Sequence, residues 1–308
     1  MKTAFLFPGQ GSQKVGMGKD LFDNSTPARL RYEEANQIMG MDLSTLSFKG
    51  PEEELRQTEL TQPAIFVVSV ILNEMLVESG TIPSFSTGHS LGEYSALTAA
   101  GVFNFADALA LVKLRGELMS KAGREQKGTM AAVLGLSDKV VSELCVDASQ
   151  NEEVAVPANF NSPGQIVISG SIKAVRRAME FADKAGAMKT IELNVSGAFH
   201  SPLMTSAKHA MREALDATKL NTARFPVIMN VTAEATTDPE RILDNLISQL
   251  DSPVRWIESI DTLRESGADS FVEVGPGRVL QGLNRRIDRS LPTRGVEKMV
   301  QVEELEVV

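Results

Sequence analysis

The chain has 308 residues, 43% hydrophobic and 23% charged, with a formal net charge of −9 from 31 basic and 40 acidic side chains. A chain of this length and composition buries roughly 75% of its unfolded surface on folding, which excludes a disordered or fibrous protein. The acidic balance, without a dense basic stripe, argues against nucleic acid as a partner.

In chain order, residues 3–7 read as a buried strand that meets the glycine-rich turn Pro8-Gly9-Gln10-Gly11-Ser12-Gln13 too early to be a signal-peptide core. A strand followed by Gly9-x-Gly11 has the look of a dinucleotide fingerprint, but Lys14 stands where the third glycine belongs. Residues 61–78 read as a buried helix with Pro63 near its first turn. The apolar run 64–72 stops at Asn73 and Glu74, short of a membrane span. A short strand through Ser86-Thr87-Gly88 and a helix over 91–100 follow. The next helix spans 105–122, with Ala108, Leu111, Val112, Leu118 and Met119 on its inward face.

The middle changes character. Strand 129–135, helix 138–148, strands 154–160 and 165–169, helix 172–185 and strand 188–195 give the order βαββαβ, a ferredoxin-like arrangement over 127–196. Beyond it, helices at 203–217, 242–250 and 254–265 alternate with strands at 227–229 and 270–274. Gly275-Pro276-Gly277 then leads into a final helix, and the acidic end 301–308 is expected to fray. The expected fold class is α/β: a large α/β-hydrolase-like domain with a parallel sheet, residues 1–126 and 197–308, interrupted by the inserted subdomain 127–196. The single cysteine, Cys145, permits no internal disulfide and reads as a small buried hydrophobe. A reducing, cytoplasmic setting fits it. No long exposed apolar stripe is evident, so a monomer without a membrane partner is expected.

Gly88-His89-Ser90-Leu91-Gly92 matches the nucleophile elbow and falls between a predicted strand and a predicted helix, the context that motif needs. Its glycines let the backbone turn sharply and project the Ser90 hydroxyl at a helix N-terminus. A structural turn is the plainer alternative. A serine needs a base, and the chain has only three histidines, His89, His200 and His209. His209 lies on a polar helix face and His89 reads as shaping the turn, while His200 sits in the loop Gly197-Ala198-Phe199-His200-Ser201-Pro202, a setting that favours function. Asp238, Asp244 and Asp251 read as surface or capping residues, so a backbone carbonyl or an amide is left to orient His200. Arg115 points from the apolar face of its helix, where a permanent cation needs an anion. Either Glu93 or Glu117 pairs with it, or it is a fork for a substrate carboxylate.

Together with Phe7-Pro8-Gly9-Gln10-Gly11-Ser12-Gln13 and Gln249-Leu250-x-x-Pro253-Val254-Arg255-Trp256, these segments resemble the malonyl-CoA:acyl carrier protein transacylases over nearly the whole chain and in the family's order. The resemblance implies an acyltransferase in which Ser90 is acylated and His200 is general base, then acid. Arg115 binds the malonyl carboxylate, the Gln10 and Leu91 amides form the oxyanion hole, and the Gln249 carbonyl orients His200. Gln62, His89, Asn159 and Asn161 line the cleft, and Phe199 fits the malonyl-selective form of its motif. The implied reaction is ping-pong, takes malonyl-CoA and holo acyl carrier protein as partners, and needs no metal or other cofactor. Supply of extender units for fatty acid synthesis is expected; a discrete acyltransferase of a polyketide synthase, an acyl-carrier-protein hydrolase and a silent docking module are the rivals. An acidic carrier needs a local basic patch, and Arg285, Arg286 and Arg289, or Arg176, Arg177 and Lys189, are the candidates.

Overall fold

The computed structural model describes residues 2–306. Strand β1 (Thr3–Phe7) leads to four helices, α1 (Lys19–Asn24), α2 (Thr26–Met39), α3 (Leu43–Lys49) and α4 (Glu52–Leu55). Then come α5 (Thr58–Glu78), β2 (Phe85–Gly88), α6 (Gly92–Ala99) and α7 (Phe105–Glu125). The middle run is β3 (Gly128–Leu134), α8 (Asp138–Ala148), β4 (Ala155–Ser162), β5 (Gln165–Ser171), α9 (Ile172–Lys184) and β6 (Lys189–Glu192). A short 3-10 turn, Pro202–Met204, enters α10 (Thr205–Asp216), which is followed by β7 (Val227–Ile228), β8 (Ala235–Thr236), α11 (Pro239–Gln249) and α12 (Trp256–Glu265). The described chain closes with β9 (Ser270–Val274), α13 (Val279–Ile287), β10 (Thr293–Val296) and α14 (Met299–Glu306).

Two sheets result. The larger has the order β10-β9-β1-β2-β7-β8, parallel except for β8, and the smaller is antiparallel in the order β4-β5-β3-β6. Alternation along β1 shows why the large sheet reads as continuously apolar. Phe5 and Phe7 point into the core shared with α5, α6 and α7, whereas Ala4 and Leu6 point into a second core with Trp256, Ile260 and Leu280. In the small sheet Ala131, Val133, Ile166 and Ile168 pack on α8 and α9, with Cys145 buried among them. Met130 and Val167 face the other way and join the large core, so the two sheets are packed together rather than tethered. Val254 adds a backbone tie, donating to Ala158 O (2.8 Å) and accepting from Phe160 N (2.9 Å).

Several expectations are corrected. Apolar periodicity marks no element between Gln13 and Thr61, where α1 to α4 form. All but α2 are of seven residues or fewer, and α2 buries only Ala28, Tyr32, Ala35 and Met39, two of them alanines. The last strand of the middle run ends at Glu192 rather than Val195. The helix expected from Val254 starts at Trp256, because Val254 bridges to β4. The helix after Gly277 is followed by β10 and α14. The end expected to fray is helical through residue 306, with Val302 buried and Met299 N bonded to Asp20 Oδ2; residues 307–308 lie outside the described residues. By length and composition α5 could cross a membrane, yet its apolar window is 83% buried inside the protein, as the core helix under β1.

Close backbone approaches join α6 to both β1 and β2. A Cβ on Gly92 would sit 2.0 Å from Phe7 O, and one on Gly88 would sit 1.9 Å from Gly92 C. Gly92→Ala should therefore cost about 1–3 kcal/mol, the range for overpacked interiors. A lower urea midpoint at unchanged m-value would show it, and an unshifted midpoint would mean that β1 and α6 separate freely.

Candidate active site

The parallel strands aim their carboxyl ends at one side of the large sheet, where sites in such sheets form. The turns after β1 and β2 lie side by side there, since Phe7 pairs with Gly88. Ser90 occupies the second turn with φ +52°, a conformation that non-glycine residues rarely adopt. Its main-chain groups are both held by side chains: Asn230 Oδ1 accepts from Ser90 N (2.7 Å) and Gln249 Nε2 donates to Ser90 O (2.9 Å).

His200 arrives from the opposite wall. Gly123 lets α7 lie against the main chain of Ser196 and Gly197, just ahead of Phe199 and His200. His200 Nε2 is 2.8 Å from Ser90 Oγ, and Nδ1 is 2.8 Å from Gln249 O and 3.1 Å from Ser252 O. A carbonyl only accepts, so Nδ1 carries the proton and Nε2 is free to take one from the serine. Both carbonyls lie at or just beyond the C-terminal end of α11, where backbone acceptors lack helical partners. Burial and the neighbouring Arg115 charge push the imidazole down to about 3, which keeps it neutral. None of the three aspartates takes part: Asp238 caps α11, Asp251 pairs with Lys208 at 3.0 Å, and Asp244 is not in contact with His200.

Arg115 reaches the site because Gly116 allows α7 to approach the α5 backbone at Glu59. The guanidinium is 1% exposed and pairs directly with neither Glu93 nor Glu117. Instead it donates to Gln62 Oε1, to Ser90 Oγ (3.0 Å) and to Gln249 Oε1 (2.9 Å), and it lies over the Tyr94 ring. Its Nε is buried without a protein acceptor among the described residues. A cation held only by amide and hydroxyl oxygens beside a nucleophile is arranged for an anionic ligand.

One cleft is lined by Gln10, Gln62, His89, Ser90, Leu91, Arg115, Asn159, Asn161, Phe199 and His200, with Gln249 immediately beneath them. Asn159 and Asn161 of β4 both line the cleft, where the strand's register is irregular between Pro157 and Asn159 and again between Phe160 and Ser162. Asn161 Oδ1 accepts from His89 Nε2 (2.8 Å), and the His89 ring lies against Trp256, which gives His89 a shaping position. His209 is exposed on α10. Among the described residues the Gln10 and Leu91 amides have no protein acceptor, whereas the Ser90 amide is taken by Asn230. Sequence reasoning missed Asn230, Ser252 and the cleft wall of Val279, Leu280 and Leu283 from α13. An asparagine just after a strand reads as an ordinary turn residue, and only the fold brings it to the serine.

The family of acyl transferase domains matches residues 4–303. The chain is 45% identical over 302 residues to the malonyl CoA-acyl carrier protein transacylase of Bacillus subtilis, covering 98% of this chain and 95% of that one. It is 42% identical, at a TM-score of 0.95, to the crystal structure of an acyl carrier protein S-malonyltransferase from Vibrio cholerae, covering 99% of this chain and all of that one. A malonyl-transacylase in complex with its type II polyketide synthase acyl-carrier protein is 40% identical, again at a TM-score of 0.95, with 98% of each chain covered.

The depressed His200 value links the site to stability. Unfolded, the imidazole titrates near 6.5, so between pH 6.5 and about 3 the unfolded state holds an extra proton and stability falls as pH falls. Glu93, raised by burial from 4.5 to about 7, acts with the opposite sign in its own window, where stability falls as pH rises. His200→Gln removes only the first contribution. Near pH 5 the slope of unfolding free energy against pH should therefore drop by about 1.4 kcal/mol per unit. Urea titrations at closely spaced pH values measure it, and equal slopes in both proteins would show that His200 titrates normally in the fold.

Proposed function

This chain belongs to the family of acyl transferase domains, and from that premise we propose that it moves the malonyl group from malonyl-CoA to the phosphopantetheine thiol of acyl carrier protein. The observation that carries the reading is the buried Arg115 guanidinium, bonded to the nucleophile's own oxygen and to no carboxylate. A donor whose acyl group ends in a carboxylate supplies that missing anion.

The geometry performs the exchange in two halves. Ser90 Oγ attacks the malonyl thioester while its proton passes to His200 Nε2, and the His200 Nδ1–H stays on the Gln249 and Ser252 carbonyls. The oxyanion of the tetrahedral intermediate takes the free amides of Gln10 and Leu91, one beside the nucleophile and one from a separate loop. Collapse breaks the C–S bond, and the departing coenzyme A sulfur takes the proton from His200. The carrier's thiol then gives its proton to the same nitrogen, attacks the serine ester and restores a thioester, with the proton returning to Ser90. Arg115 and Gln62 hold the malonyl carboxylate, and Phe199, Asn159, Asn161 and His89 shape the cleft. The exchange leaves every oxidation state unchanged, so it calls for no redox cofactor, and the proton transfers and oxyanion stabilisation are assigned to side-chain and main-chain groups of the chain.

We read residues 1–126 and 197–308 as an α/β-hydrolase-like domain and 127–196 as a ferredoxin-like insertion, supported by the βαββαβ order and the sheet order β4-β5-β3-β6. The catalytic residues then lie between the two units. For the acidic carrier, α13 is the favoured surface. Arg285, Arg286 and Arg289 are exposed around one hollow, and Leu280 and Leu283 of the same helix line the cleft. On the subdomain, Arg176 is already paired with Glu192 and Arg177 with Glu153. The proposed setting is the cytoplasm and the proposed role is extender-unit supply for fatty acid synthesis. A polyketide role would differ in the carrier rather than in the chemistry. Hydrolysis is disfavoured because a carboxylate clamp selects an extender unit and does nothing for water.

Incubation with malonyl-CoA followed by peptide mass spectrometry should find a malonyl ester on Ser90, and added holo acyl carrier protein should remove it as malonyl-carrier. Decay to free malonate despite the carrier would favour the hydrolase. Arg115→Ala should lower malonyl transfer on the order of 100-fold or more, the loss of charge-assisted bonds in a buried site, while transfer of acetyl groups persists or rises. Equal loss for both donors would sink the carboxylate clamp.

A further inference from the structure

Glu93 follows the elbow on the first turn of α6 and is fully buried, yet no step of the exchange uses it. It bonds neither Ser90 Oγ nor His200 nor Arg115. Its two oxygens are instead shared between two residues that hold the machinery: Oε1 accepts from the Asn230 main-chain N–H (2.6 Å) and Oε2 accepts from Gln249 Nε2. Asn230 in turn fixes the turn itself, through Oδ1 on Ser90 N (2.7 Å) and Nδ2 on Gly88 O (2.7 Å). Gln249 fixes three further groups, through Nε2 on Ser90 O (2.9 Å), Oε1 on Arg115 Nη2 (2.9 Å) and its main-chain carbonyl on His200 Nδ1 (2.8 Å).

The Gln249 side chain has two ends of similar shape and opposite hydrogen-bonding sense. If its NH2 faced Arg115, two donors would meet in a buried space and the guanidinium would have to move. Ionised, as it is above about pH 7, Glu93 accepts at both oxygens and so selects the amide orientation in which Oε1 faces Arg115. We propose that Glu93 is a positioning residue of the reaction: one carboxylate whose two oxygens hold Asn230 and Gln249, and through them the Ser90 backbone and Arg115, in register with His200. Burying an acid here without a direct cationic partner is costly, and a purely space-filling residue would not need two acceptor atoms.

The inference rests on Ser90 being the acylated residue, and its test separates the two ideas. Glu93→Gln keeps the shape and an acceptor for Asn230 N but turns an NH2 against that of Gln249. The single-turnover rate of Ser90 acylation by malonyl-CoA, followed by rapid quench and intact-protein mass spectrometry, should fall on the order of 10- to 100-fold, the effect of misplacing reacting groups by about 1 Å. In a Gln249→Ala background, which keeps the main-chain carbonyl for His200, the same substitution should change the rate by no more than about twofold. A wild-type rate in E93Q would overturn the proposal, and so would an equal loss in both backgrounds, the outcome for a residue that only stabilises the fold. Should E93Q fail to fold, Glu93→Asp takes its place; it withdraws the acceptors from both Asn230 and Gln249, so its loss should be smaller in the Gln249→Ala background than alone but not abolished, and an equal loss in both would overturn the proposal. Absence of a Ser90 ester in the wild-type protein would overturn the nucleophile assignment and this inference together.

Discussion

Ser90 stands at φ +52° on a turn between a strand and a helix, a conformation that costs about 1–3 kcal/mol and persists only when its surroundings over-determine it. Those surroundings come from widely separated parts of the chain. Gly88 and Gly92 remove the Cβ atoms that would strike the α6 and β1 backbones, Asn230 from the end of β7 takes the serine amide, and Gln249 from the end of α11 takes its carbonyl. The parallel pairing of β1 with β2 sets the Gln10 loop beside the turn, so that Gln10 and Leu91, whose amides have no protein acceptor among the described residues, line one cleft with Ser90. With the turn so fixed, His200 needs only the C-terminal carbonyls of α11 and the adjoining loop to reach Ser90 Oγ at 2.8 Å.

A permanent cation and a neutral base share this buried space, and each depends on the other's environment. Burial lowers the proton affinity of His200, and the Arg115 charge lowers it further, so the imidazole stays neutral. Arg115 itself is solvated by amide and hydroxyl oxygens rather than by a contacting carboxylate, which would repay its desolvation fully and leave nothing for a ligand. Glu93 stands one amide removed, linked to the cation through Gln249. That separation leaves no carboxylate in direct contact with the guanidinium among the described residues.

The parts of the site legible in the sequence were those with a local signature or a forced choice. Gly88-His89-Ser90-Leu91-Gly92 between strand and helix patterns pointed to Ser90, the helical face of α7 pointed to Arg115, and the scarcity of histidine left His200. The ion-pair alternative for Arg115 was decided only in three dimensions, where among the described residues neither Glu93 nor Glu117 forms a salt bridge with it. The βαββαβ run was legible because helices α8 and α9 bury one apolar face each and β3 and β5 carry apolar runs, although β6 is largely exposed. Helices α1 to α4 were not: α1, α3 and α4 have seven residues or fewer, and α2 buries only four side chains, two of them alanines, so their stability comes from tertiary contact. Strands β8 and β10 lie at the two edges of the large sheet and exist by pairing with neighbours, so no pattern of their own announces them.

The sequence by itself determined the α/β class, the succession of buried strands and helices, and the residue types available for acyl transfer. These follow from periodicity and from backbone chemistry within a few residues of each position. Only the tertiary structure decided that Asn230, Gln249 and Glu93 close on the serine from positions up to 159 residues apart, and which end of each amide faces which partner. The reason is physical: a buried hydrogen bond is specified by the direction of donors and acceptors in space, and no spacing along the chain encodes that direction until the sheet and its flanking helices have packed.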